Sequence, residues 1–72
     1  MNKQEVTSFI RAEYIRALND PTFTDREQAA FNAADNAALG SVWQAHGVRC
    51  AADSTPELRA EADALRVEAI GR

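Results

Sequence analysis

The stretch at residues 25–46, DREQAAFNAADNAALGSVWQAH, decides the fold, because it carries the longest uninterrupted helical pattern of the chain. It contains no proline, and Thr24 and Glu27 at its start have the spacing of a capping box. His46 and Gly47 at its other end are typical of the last turn and the stop of a helix. The pattern therefore predicts a helix over residues 25–46.

This central helix is expected to be apolar on two sides. The main stripe consists of Phe31, Ala34, Ala38, Leu39, Val42 and Ala45, with Trp43 beside it. The second face consists of Ala29, Ala33, Ala37 and Gly40. Small residues let a second backbone come close, so a helix with two such faces is expected to have two neighbours.

A first helix is predicted over residues 3–18. Asn2 and Glu5 have the spacing of a capping box at its start, and Pro21 lies just beyond its end. Its apolar stripe consists of Val6, Phe9, Ile10, Tyr14, Ala17 and Leu18. Ile15 lies outside this stripe.

A third helix is predicted over residues 55–70, after a connector at residues 48–53. The start signals are a cap, an early proline and a first-turn acid, supplied by Ser54, Thr55, Pro56 and Glu57. The seam that faces other helices consists of Leu58, Ala62, Leu65 and Ala69, and the far side carries Ala60, Ala64 and Val67. Gly71 is a natural stop.

The composition limits how this chain is stabilised. Its 72 residues are enough for one domain, and nearly half of its 46% hydrophobic fraction is alanine, so the core must be thin. The single cysteine, Cys50, excludes an internal disulfide. We therefore expect an all-α fold over residues 1–72, either a small three-helix bundle or a helical hairpin plus a third helix, completed by self-association as a homodimer.

Two acidic residues lie within apolar stripes, Glu13 on the first helix and Asp35 on the second. They are candidates for partner-facing charges, for facing each other or for sharing an arginine. A catalytic pair is the other reading of two carboxylates, but no nucleophile–base pair or phosphate-binding loop accompanies them. Salt bridges explain both acids more simply, and the available arginines are Arg11, Arg16, Arg59 and Arg66.

Trp43 shares one flank of the second helix with Asn32 and Asn36, and an aromatic residue beside amides is typical of a protein interface. A tryptophan in the core is the other interpretation, and it is favoured because a chain with so few large residues can hardly leave its largest one outside. The candidate partner-binding residues are Glu13, Asn32, Asp35, Asn36, Trp43, Ala60, Ala64 and Val67.

His46 and Cys50 are the only soft metal ligands, and a closed zinc site needs four ligands. We therefore expect no metal and no cofactor. The two residues lie four apart across a helix end, which does not favour a Cys–His catalytic pair. His46 is expected to complement the helix dipole, and Cys50 to serve as a small apolar residue.

The charge pattern disfavours nucleic-acid binding. The chain carries a net charge of −3, whereas a protein that neutralises phosphates is usually basic. The last two helices could be interpreted as a DNA-binding helix-turn-helix, with Arg59 and Arg66 on the second of them. Acidic residues on the same helix argue against this, because they would repel the phosphates. These acids are Glu57, Glu61, Asp63 and Glu68.

The sequence therefore favours a small non-enzymatic helical module for protein–protein interaction, such as an adaptor, an inhibitor or an assembly protein. A small DNA-associated transcriptional regulator and an acidic inhibitor of a nucleic-acid-binding protein remain the alternatives. Residues 1–10 lack the apolar run of a signal peptide, and no stretch approaches membrane-spanning length. The expected location is the cytoplasm.

Overall fold

The structure, a computed structural model, describes residues 1–72 and contains three α-helices and no strand. The helices are α1 (Lys3–Leu18), α2 (Arg26–His46) and α3 (Pro56–Ile70), with a short 3₁₀ turn at Ala51–Asp53 in the last connector. Every helix packs against both others. The prediction of an all-α three-helix bundle is confirmed.

The predicted capping box at the start of α1 is confirmed. The Glu5 amide donates to Asn2 Oδ1 at 2.8 Å, and the Asn2 amide donates to Glu5 Oε1 at 3.3 Å. At the other end, the helix stops at Asn19, two residues before Pro21. At the start of α1, two free backbone N–H groups are thus satisfied by side chains three residues away.

The capping box predicted for Thr24 and Glu27 is wrong by one residue. Asp25 is the N-cap of α2, and its Oδ1 accepts from the Gln28 amide at 3.1 Å. An aspartate is a strong cap, so the helix begins after it rather than after Thr24. At the other end, Gly47 adopts a left-handed φ of 70°, which its lack of a side chain permits.

The start of α3 follows the predicted signals. Thr55 Oγ1 accepts from the Leu58 amide at 3.3 Å, and Pro56 occupies the first turn, where its missing N–H costs nothing. Gly71 ends the helix with a φ of 82°. Local sequence therefore explains both boundaries of α3.

Helices α1 and α2 are antiparallel. Val6 near the start of α1 and Ala45 near the end of α2 line the same hollow. At the opposite end of the molecule, Tyr14 Oη donates to Glu27 Oε2 at 3.3 Å. The short loop between the two helices is compatible with this arrangement.

Helix α3 runs back along α2. Glu61 pairs with His46 near the end of α2, and Arg72, just beyond α3, pairs with Glu27 near the start of α2. Arg11 of α1 donates through Nε to the Ala69 carbonyl oxygen at 3.1 Å, which links the first and third helices.

The buried core consists mainly of alanine. Its apolar members are Ile10, Ala17, Ala30, Ala34, Ala38, Val42, Ala62 and Ala69. Ile10 is the only large side chain that is fully buried. The one buried polar residue, Thr7, donates its hydroxyl to the Lys3 carbonyl oxygen at 3.0 Å, so burial leaves it satisfied. The expectation of a thin core is confirmed.

Two of the predicted core positions are wrong, because the core is too thin to cover them. Phe9 is 41% exposed and Ala45 is also exposed, although both were expected in buried stripes. Phe9 is turned by about 100° from Ile10, and a contact between helices built on alanine covers only a narrow strip of each cylinder. In α3, Ala62 and Ala69 are buried as predicted.

The unequal burial of two isoleucines on α1 gives a test of the core. Ile10→Val should lower the free energy of unfolding by about 1 kcal/mol, because it removes a fully buried methylene. Ile15→Val makes the same chemical change at a side chain that is 47% exposed and should cost under about 0.5 kcal/mol. Urea unfolding of both variants measures the difference, and equal losses would contradict this description of the core.

Candidate protein-binding surfaces

Asp35 links α2 to α3 through two ion pairs. Its Oδ1 accepts from Arg59 Nη2 at 2.5 Å and from Arg66 Nη1 at 2.8 Å. Both arginines also contact Asp63 Oδ1, at 2.9 and 2.7 Å, so the four side chains form a closed network of alternating charge. The candidate partner-facing charge at Asp35 is thus occupied within the chain.

The network also changes the ionisation of its members. Burial alone would raise the pKa of Asp35, but the hydrogen bonds from Arg59 and Arg66 outweigh this effect and hold the pKa below its ordinary value of 3.8. The hydrogen bond to Asp35 in turn raises the pKa of Arg59 above its ordinary value. The ionised pair is the stable form in the folded protein.

Glu13 has a different partner. Its Oε2 accepts from Arg16 Nη2 at 2.5 Å and from Arg16 Nε at 2.9 Å, one turn along the same helix. Glu13 and Asp35 therefore neither share an arginine nor pair with each other. The sequence had suggested salt bridges for both acids, and in the structure Glu13 pairs with one arginine and Asp35 with two others.

A second cluster adjoins the Asp35 network at the C-terminal end of α3 and shares Arg66 with it. The guanidinium groups of Arg66 and Arg72 lie 4.8 and 5.5 Å from the centroid of the Phe31 ring. Arg72 also donates to Tyr14 Oη at 3.3 Å, which raises the pKa of Arg72, and to Glu27 at 2.9 Å. No sequence signal pointed to this cluster, because its members come from all three helical segments.

Trp43 is half-buried and is tied to the connector. Its indole Nε1 donates to Ser54 Oγ at 3.0 Å. The polar atom of the ring is thus engaged within the chain, and the ring supports the turn that leads into α3. Asn32 and Asn36, which share its flank of α2, are exposed.

His46 and Cys50 have separate contacts. His46 Nε2 lies 2.9 Å from Glu61 Oε2, whereas the exposed thiol of Cys50 donates to Asp53 at 3.4 Å. No three His, Cys, Asp or Glu side chains are grouped so as to hold a metal ion. Nothing in this region assembles the two residues into one site.

One side of α2 carries no charge, and three of its five residues are exposed while its two alanines are half-buried. We call it the α2 outer face and define it by Ala29, Asn32, Ala33, Asn36 and Gly40. A Cβ added at Gly40 would meet no atom within 4 Å, so nothing in the chain covers that position. A shallow depression of about 470 Å³ lies along the first half of the face, and Phe23, which is 43% exposed, lies at its edge.

The small-residue face predicted for α2 needs one correction. Ala37 is partly buried and packs against the core, so it does not belong to the α2 outer face. The other predicted members, Ala29, Ala33 and Gly40, remain on it, since the two alanines are half-buried but do not pack against the core cluster. On α3, the predicted far side is exposed: Ala60, Ala64 and Val67 all face solvent, and Val67 is 49% exposed.

A second surface lies where the start of α1, the end of α2 and the middle of α3 meet. Two adjoining hollows of about 350 and 430 Å³ share Met1, Val6, Ser41 and Ala45. We call them together the terminal groove. Its lining also includes Phe9, Ala64 and Leu65. The groove and the depression on the α2 outer face have no lining residue in common.

Comparison with protein-family models, with curated proteins and with solved structures finds no match to this chain. None of its helices is long and apolar enough to span a membrane.

The Asp35 network gives a pH-dependent prediction. Asp35→Asn should lower the free energy of unfolding at pH 7 by about 1–2 kcal/mol, between the values for exposed and buried ion pairs. Because folding lowers the pKa of Asp35, its stabilising effect is full above pH 3.8 and is lost as the pH falls through the lower, folded-state pKa. The stability difference between the wild type and the variant should therefore shrink below about pH 4.

Glu13→Gln is the matched control, since Glu13 pairs only with Arg16 on its own helix. It should cost under about 0.5 kcal/mol. Urea unfolding at a series of pH values measures both variants. A difference between wild type and Asp35→Asn that stays constant down to pH 2 would contradict the structural role of the ionised Asp35.

Proposed function

We propose that this chain is a small non-enzymatic module for protein–protein interaction that acts through its helix faces and forms a homodimer through the α2 outer face. The observation that carries this proposal is the neutrality of that face. Charged residues make up 26% of the chain, but between Glu27 and His46 the only one is Asp35, which is engaged by α3. A solvated helix face normally carries charges, so this one has the composition of an interface.

The spacing of the small residues supports helix packing on this face. Ala29, Ala33, Asn36 and Gly40 follow one another at intervals of four, three and four, which is the seam pattern of packed helices. Alanine and glycine allow two helix axes to approach closely. Within the chain, Asn36 and Gly40 of this seam are exposed and Ala29 and Ala33 are only partly covered.

The chemistry of the face favours a second copy as the occupant. Two chains of net charge −3 repel each other least where their contact has few charged groups. The five residues of the α2 outer face carry none, and Asp25 lies at one end of the depression beside them. The amides of Asn32 and Asn36 both donate and accept hydrogen bonds, so the same surface on two copies can be self-complementary. A two-fold contact centred near Asn36 satisfies both conditions.

The remaining functional alternatives receive less support. Arg59 and Arg66, which suggested a DNA-binding helix, are both engaged by Asp35 and Asp63 and are not free to contact phosphates.

The proposal includes a cytoplasmic location, since a lone exposed thiol such as that of Cys50 is typical of reducing compartments.

Adding a charge to the seam tests the proposed homodimer. Asn36→Arg should weaken self-association by at least about tenfold, because the two-fold contact would bring two like charges together without partners. Gln4→Arg adds the same charge at an exposed position of α1 and should leave the association unchanged. Analytical ultracentrifugation over a concentration series measures each dissociation constant.

Circular dichroism should show that both variants keep their helical content, because both positions are exposed. A wild-type chain that stays monomeric at every concentration would reject the homodimer. Equal weakening by the two substitutions would reject the α2 outer face as its interface.

A further inference from the structure

The terminal groove is apolar along its floor and has exposed anchors at its edge. Val6 and Leu65 lie half-buried within it, while Phe9 is 41% and Met1 77% exposed. All three helices contribute to it, so its shape depends on the complete fold. A hollow open to solvent between packed helices is suited to an apolar side of another helix.

The edge of the groove formed by α3 is acidic. Glu61 and Glu68 line it, and Glu57 lies one turn before Glu61 on the same side of α3. Lys3 is the one lysine of the chain and pairs with Glu68 at 3.0 Å, while His46 pairs with Glu61. These contacts are exposed to solvent, and Glu57 has no ion pair, so the edge keeps a net negative charge.

This charge decides which occupant suits the groove. A second copy docked symmetrically would bring two acidic edges together, which is unfavourable. A helix with an apolar side and a basic flank would instead place cations beside Glu57, Glu61 and Glu68. The distance along α3 from Glu57 to Glu68 is about 16 Å, which corresponds to about three turns of a bound helix.

We propose that the terminal groove binds a basic amphipathic helix of another protein. The proposal rests on the interaction role argued above but not on the homodimer, which uses a different surface. In this arrangement the apolar side of the partner helix packs against Phe9, Val6 and Leu65. Its basic side chains lie along the acidic edge of α3 and compete with Lys3 for Glu68.

Two synthetic helical peptides of 15 residues serve as probes. Both carry leucine along one side; one carries arginine on its flanks, and the other carries glutamate at the same positions. The basic peptide should bind the full-length chain at least about tenfold more tightly at low salt, and the difference should shrink as the ionic strength rises. Fluorescence anisotropy of labelled peptides measures both dissociation constants.

Two phenylalanines provide a matched test of the binding site. Phe9→Ala should weaken binding of the basic peptide by about fivefold or more, because it removes an aromatic anchor. Phe23→Ala removes a ring of similar exposure, 43%, at the other surface and should leave the peptide affinity unchanged. Circular dichroism and urea unfolding show that both variants remain folded.

The acidic edge is tested separately. The double variant Glu57→Gln and Glu61→Gln should weaken binding of the basic peptide by about threefold to tenfold. Glu13→Gln removes an acid outside the groove and should leave this affinity unchanged. Equal binding of the two peptides, no binding of the basic one, or equal effects of Phe9→Ala and Phe23→Ala would each overturn the proposal.

The groove proposal is tested by peptide binding, whereas the homodimer is tested by self-association, so each can be rejected without the other. If the basic peptide does not bind while Asn36→Arg still disrupts a wild-type dimer, the groove proposal is rejected and the α2 outer face is retained. If the wild-type chain is monomeric but binds the basic peptide through Phe9, the homodimer is rejected and the groove is retained.

Discussion

Close packing of alanine methyl groups is the constraint on which the rest of this structure depends. Six of the eight buried apolar residues are alanines, and only Ile10 brings a large side chain fully inside. Each alanine buries little area, so the apolar stabilisation of the bundle is small for its length. The helices therefore contact along narrow strips, and larger side chains such as Phe9 and Ile15 remain partly in water.

An alanine seam has few features that select one position along it, and the ion pairs between helices supply that selection. Asp35 accepts from Arg59 and Arg66, which lie two turns apart on α3, so sliding α3 along α2 would break both contacts. Arg72 anchors the far end of α3 against Glu27. Apolar packing thus brings the helices together, and charged side chains set their register.

The same constraint produces two exposed surfaces with different chemistry. The α2 outer face is neutral and made of small and amide side chains, because α1 and α3 take up the other sides of α2. The terminal groove is apolar with an acidic edge, because Phe9 and Met1 lie beside the glutamates of α3. A neutral face suits a second acidic copy, and an acidic groove suits a basic partner, so the two proposals do not compete.

Local sequence determined the three helices. Most helix boundaries are set by residues within one turn, which cap the free backbone groups or end the helical hydrogen-bonding pattern. At the starts of α1 and α3 these are Asn2 with Glu5 and Thr55 with Pro56, and at the end of α2 it is Gly47. The start of α2 was missed by one residue, because Asp25 and Thr24 are both good caps and differ little in free energy.

Only the tertiary structure decided which side chains meet across helices. The sequence marked Asp35 as an anomalous acid and named both of its arginine partners among four candidates, but spacing alone does not tell which arginine faces it. The sequence pattern also predicted Phe9 to lie in the core. Periodicity shows which side of a helix is apolar, but it does not show how wide a strip of that side the neighbouring helices cover. That width is set by the size of the residues on the facing helices, and here those residues are mostly alanine.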